Sequence, residues 1–151
     1  MGRSVTLLLL LTGLAGCATA PRYQNYAGQD AACIKGDTAN FVKFFAEGEA
    51  HVQIKEIDGV PTGSGEPYCF PPGKRRLGVS GYNNLQTAQD YVDLDFEAGR
   101  KYWLRANLRG ISFVFQLLDV TGESERKVAQ FTLKVSFVTQ PVPVPIFVPT
   151  R

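Results

Sequence analysis

The chain of 151 residues is 44% hydrophobic and 20% charged, with a formal net charge of +2. That is the composition of one globular domain with enough chain to bury a core, and it lacks the basic excess that holds a nucleic acid. One histidine, one tryptophan and one methionine exclude catalysis built on several histidines.

The first element reads as an address. Arg3 precedes an apolar run over residues 5–14, with five consecutive leucines at 7–11. As a helix that run is too short for the ~30 Å hydrocarbon layer. A basic residue, a short apolar stretch and then small residues read as a secretory signal. The run closes on Leu14-Ala15-Gly16-Cys17, which resembles the lipobox of bacterial lipoproteins. The resemblance implies cleavage before Cys17, a diacylglycerol on its sulfur and an acyl chain on its new amine. One acyl chain binds a membrane only marginally, at ~0.8 kcal/mol per buried CH₂, so two or three make a lasting anchor. Ala18, where an aspartate would signal inner-membrane retention in that family, implies the periplasmic face of the outer membrane. The other reading is a plain signal peptide, or a buried apolar strand that happens to hold a cysteine. The expected layout is a signal peptide over residues 1–16, a lipidated tether over 17–32, a folded domain over 33–139 and a Pro-rich tail over 140–151.

Assigning Cys17 to lipid leaves Cys33 and Cys69 as an even pair. In an oxidising envelope they are expected to form a disulfide, which on the chain-entropy account stabilises by roughly 4 kcal/mol. Two buried free thiols are the alternative. The spacing of 36 does not resemble a zinc site. No metal and no cofactor beyond the acyl groups are expected.

From residue 40 onward the pattern has period two. In residues 50–57, Val52 and Ile54, with Glu56, fall on one face, and Gln53 and Lys55 on the other. In residues 90–97, Val92, Leu94 and Phe96 alternate with Asp93, Asp95 and Glu97. After Ala98-Gly99-Arg100, Tyr102, Leu104, Ala106 and Leu108 oppose Lys101, Trp103, Arg105 and Asn107. These are half-buried strands. A three-residue hairpin joining them keeps both faces consistent, setting Phe96 beside Tyr102, Glu97 beside Lys101 and Asp93 beside Arg105. The acidic strand then reads as a salt-bridged surface instead of a metal site. Residues 111–120 read as a strand buried on both faces, 121–125 as a polar turn and 128–138 as another strand. The fold class is all-β: an antiparallel β-sandwich, immunoglobulin- or transthyretin-like, of about seven strands with one disulfide.

Three turns add a family resemblance. Asp58-Gly59, Pro72-Gly73-Lys74 and Ala98-Gly99, in that order and spacing over residues 50–108, resemble the PEGA domain and related sandwich modules of bacterial lipoproteins. The Cys33/Cys69 pair and two further strands depart from that pattern. The resemblance implies a binding or scaffold module facing the envelope, not an enzyme.

The chemistry-bearing residues are few. His51 lies near Glu49 and Lys55 without a nucleophile that sequence alone can bring to it. Ser64, in Thr62-Gly63-Ser64-Gly65, lacks the surroundings of a nucleophile elbow, and residues 59–65 lack the ending of a phosphate loop. Lys74, Arg75 and Arg76, with Tyr82, form the candidate for binding an anionic surface such as lipid headgroups or acidic glycan. The competing reading is a strand start with solvated charges, with Arg75 paired to a nearby acid. The tail over 141–151 alternates prolines with apolar residues, which suits an edge segment or a polyproline stretch. It either folds back along the domain or docks on a protein partner. The function expected is therefore a membrane-anchored, non-enzymatic binding or scaffold lipoprotein. Alternatives are a tethering subunit of a secretion or envelope assembly, or an inhibitor of an envelope hydrolase.

Overall fold

Alternating burial runs through nearly every segment of the computed structural model, which describes residues 21–37, 49–63, 65–83 and 86–137. They form ten strands and, among the described residues, no helix: β1 (Ala32–Gly36), β2 (Glu49–Ile57), β3 (Val60–Pro61), β4 (Tyr68–Phe70), β5 (Gly73–Tyr82), β6 (Gln86–Phe96), β7 (Lys101–Arg109), β8 (Ser112–Asp119), β9 (Arg126–Lys134) and β10 (Ser136–Phe137). Seven of these have five residues or more, in line with the sequence, and three short ones complete the edges. The proposed signal, Cys17 and the tail beyond residue 137 lie outside the described residues.

One sheet runs β4-β1-β7-β8-β9 and the other β10-β6-β5-β2-β3. They share β2, whose first residues Glu49 and Ala50 pair with Asn107 and Ala106 of β7 before the strand continues against β5. Every pairing is antiparallel except β1 with β7, where Cys33 opposes Lys101 and Gly36 opposes Leu104. The fold is an all-β sandwich with a Cys33–Cys69 disulfide. Its core brings Ile34, Phe70, Leu104, Phe113 and Phe115 of the first sheet against Ile54, Ile57, Leu77, Val79 and Phe96 of the second, all at most 3% exposed. Phe96 meets both Phe70 and Tyr102 edge-on, at ring centroid distances of 4.8 and 5.0 Å. Close approach of the sheets needs a glycine at 81, because a Cβ there would stand 2.8 Å from the Phe115 ring.

The expected β6–β7 hairpin does not form. The four-residue link over 97–100 instead carries the chain from one sheet to the other, and β6 pairs with β5 and β10. Phe96 and Tyr102 touch, but across the core rather than along a ladder. Asp93 accordingly pairs with Lys74 at 3.6 Å, and Glu97 with Arg100 at 3.3 Å. Alternation specifies a face and not a neighbour, so it served the arch as well as the hairpin. In β2, a bulge between Ile54 and Glu56 keeps Ile54 and Ile57 inward. It turns Glu56 outward, to accept a 2.8 Å hydrogen bond from the Tyr91 hydroxyl. In β8 only one face is fully buried: Phe113, Phe115 and Leu117 point inward, while Val114 and Gln116 are half-buried.

The described part of the expected tether lies on the domain. Tyr23 donates its amide to the Pro61 carbonyl and its hydroxyl to that of Cys69, both bonds part of a strap along β4. Asn25 bridges the Cys69 amide and the Pro67 carbonyl, and Tyr26 donates its amide to Cys69. Among the described residues, those ahead of residue 33 are thus hydrogen-bonded to the sandwich from Tyr23 onward.

Candidate functional site

The basic run does not converge on one site. Alternation along β5 sends Lys74 and Arg76 to the outer face and Arg75 to the opposite side. Lys74 stands across from Asp95 and bridges to Asp93; Arg76 stands across from Asp93, with its guanidinium carbon 4.9 Å over the Tyr91 ring. Arg75 donates to Asp58 at 3.0 Å and to the Pro71 carbonyl through two nitrogens. Asp58 in turn accepts from the Arg76 amide. Asp58 and Gly59 both have positive φ, 50° and 80°, the geometry of a two-residue hairpin turn with a right-handed twist. The Asp-Gly pair thus sets the β2–β3 turn and orients the carboxylate that holds Arg75. Tyr82 is at the far end of β5, stacked on His51 with centroids 5.1 Å apart. Exposed pairs of this kind are worth ~0–1 kcal/mol each, and their charges largely cancel at a distance.

A different surface is built as a site. On the outer face of the first sheet, a groove of about 570 Å³ has Trp103, Pro67 and Cys33 on its floor and residues 122–125 along one wall. Lys35 Nζ stands 4.0 Å from the centre of the Trp103 ring, and the Arg105 guanidinium carbon 4.5 Å. Cations at such distances contribute ~0.5–2 kcal/mol. Arg105 is held in turn: two nitrogens donate to Glu125 at 2.7 and 2.9 Å, and Nε donates to Asp37 at 3.0 Å. This bidentate clamp fixes the 122–125 wall over β7, where the sequence had paired Arg105 with Asp93.

The wall has a second tie. Asp119, 5% exposed, accepts from the Thr121 amide at 3.0 Å and from Arg126 at 3.1 Å, with Arg100 at 3.6 Å. The Thr121 hydrogen bonds first, then Arg126 and Arg100, hold its carboxyl below the ordinary value of 3.8. Trp103 Nε1 is the one buried side-chain nitrogen or oxygen among the described residues without a hydrogen-bond partner. Leaving such a donor unmade costs about 1–3 kcal/mol.

A second cavity, of about 530 Å³, lies between β2 and the loop 62–66. Burial raises the carboxyl of Glu66 there, against the Gly36 amide and Lys35, which lower it. This cavity is the more polar of the two; Ser64 lies outside the described residues. Cys33 and Cys69 stand directly opposite on β1 and β4, 4.1 Å apart at Cα, and the bond joins them beside the Trp103 groove.

Sequence reasoning placed Trp103 on the wet face with Lys101 and Arg105 but assigned it no role. A tryptophan among charged residues on a solvent face was the available signal. No protein-family model matches the chain, and no curated protein and no solved structure matches it.

Proposed function

We propose that the chain is an exported lipoprotein, held by acyl groups on Cys17 to the periplasmic face of the outer membrane. In this reading its sandwich is a non-enzymatic binding or scaffold module for another envelope component. The observation that carries the reading is the partition of the cysteines. Cys33 and Cys69 are bonded to each other, as suits an oxidising compartment. That leaves Cys17 alone, at the end of an apolar run in the quartet Leu14-Ala15-Gly16-Cys17. The PEGA-like order of turns supports a module without chemistry of its own, and the Trp103 groove is the surface we assign to the partner. Of the finer readings, tethering an envelope assembly draws support from β9, whose one hydrogen-bonded partner strand among the described residues is β8. A bare strand edge is a natural place for a partner chain to add.

Metabolic labelling with palmitate tests the anchor: the wild type should incorporate it and Cys17→Ala should not. Equal labelling of the two would overturn the lipoprotein reading. Crosslinking in the native envelope then tests the groove, where Trp103→Ala should lose a partner that the wild type captures.

A further inference from the structure

The Trp103 groove is uneven in charge from one side to the other. Its floor belongs to the parallel β1–β7 pair, where Cys33 opposes Lys101 and Lys35 opposes Trp103. Period two puts these four side chains on one face. Lys35 and Lys101 are therefore diagonal neighbours, about 8 Å apart at Cα from one strand spacing and two residues of rise. Arg105, on the same face, is matched by Asp37 and Glu125. Neither Lys35 nor Lys101 forms an ion pair among the described residues. Lys35 is half-buried, with its ammonium over the Trp103 ring. Glu66 feels its charge, but from the other cavity. An ammonium drawn partly out of water is best compensated by an anion whose oxygens accept its hydrogen bonds.

Between these amines and the far wall the lining is apolar, from Trp103, Val120 and Pro67. The volume of about 570 Å³ falls within the range of roughly 300–1,000 Å³ common to ligand sites. The far wall carries Ser124 and the exposed Glu123, whose oxygens accept hydrogen bonds. A matching occupant brings an anion to one wall, a donor to the other and an apolar group between them. A peptide has all three, in an acidic side chain, its backbone N–H groups and an apolar neighbour. A fatty acid lacks the donor, and the proline-alternating segment 141–149 of this chain lacks the acid.

We propose that the groove receives a peptide segment of the partner in which an aspartate or glutamate adjoins an apolar side chain. The carboxylate lies between Lys35 and Lys101, and the apolar group packs on Trp103, Val120 and Pro67. This rests on the assignment of the groove to a partner and adds that partner's chemistry.

Trp103 is the single tryptophan of the chain, so its emission reads occupancy of the groove. A random heptapeptide phage library is panned on the full chain in phospholipid nanodiscs, and the retained peptides are synthesised and titrated against Trp103 fluorescence. Those that shift the emission should carry an acid beside an apolar residue. Lys35→Gln with Lys101→Gln, two changes on the solvent face, should weaken them about tenfold or more. An amide in place of the peptide's acid should do the same. Peptides that shift the emission but lack an acid, or that bind the double variant as tightly as the wild type, would overturn the carboxylate and leave the groove as the partner's surface. Tighter binding of decanoate, or of a synthetic peptide of residues 140–151, than of any selected peptide would overturn the acidic peptide as occupant. A library that yields no peptide able to shift Trp103 emission would overturn this inference and the assignment of the groove together.

Discussion

The two edges of the first sheet are finished in opposite ways. At one, β4 is three residues long, yet it is sealed. Cys69 is bonded covalently to Cys33, its amide is taken by Asn25, and its carbonyl accepts from Tyr23 and Tyr26. At the other, β9 is nine residues long and pairs with β8 alone among the described residues. Its inward residues Ala129, Phe131 and Leu133 are only half-buried, and Val128 is 40% exposed at a bulge. Arg126, Lys127 and Lys134 line it with charge, the common device against unwanted strand addition. A short edge thus has covalent and polar closure, while the long one carries lysine and arginine and takes no second strand among the described residues.

The sharpest way to break this contrast is to remove the staple. Cys33→Ala with Cys69→Ala frees a loop of 36 residues, for an expected loss of about 4 kcal/mol. The melting temperature should fall by roughly 15 °C, and amide exchange at β4 should rise towards that at β9. A change of only a degree or two would mean that the strap over residues 22–30 holds this edge unaided.

Phe131 measures the open edge. Its ring stacks on Phe115 with centroids 5.0 Å apart, but Phe115 is fully buried and Phe131 is not. Phe115→Ala should cost about 4 kcal/mol and Phe131→Ala about 2 kcal/mol in urea unfolding. Equal costs would show that β9 is covered in solution, and the contrast between the edges would fail.

These edges also mark how far the sequence was legible. The alternation of Val92, Leu94 and Phe96 with acids gave the strand and its buried face, and cysteine arithmetic gave the staple. Neighbours were not legible. Ala98-Gly99-Arg100 has the length for a hairpin, and only packing in three dimensions makes it an arch, with the Gly99 amide donating to the Asp30 carbonyl. The parallel β1–β7 pair joins segments some 68 residues apart, beyond any local signal. The extra residue in β2 that turned Glu56 outward leaves no mark on composition. The Trp103 groove was half legible: the tryptophan's face was readable, but the wall over it depends on Asp37, Asp119 and Glu125 meeting arginines distant in sequence. The basic run was the reverse case, conspicuous in sequence and then divided between two sides by the alternation that made β5 a strand.

The smallest expected effect concerns the start of the open edge, where Asp119 holds Arg126, the first residue of β9. Its folded carboxyl is held below 3.8 by Thr121 and then by the arginines, so folding favours the ionised form. The sign follows: this contribution is complete above about pH 4 and is lost as the pH falls through the lower folded value. Asp119→Asn should therefore cost about 1–2 kcal/mol at pH 7, since hydrogen bonds to a charged group are being weakened. The gap from the wild type should narrow steadily below pH 4. Urea midpoints of the two proteins at pH 7 and at pH 2.5 make the comparison. A gap that stays constant across that range would assign the cost to packing rather than to charge. In that case β9 would be fastened at Arg126 by shape alone, and acid would not loosen the open edge before the sealed one.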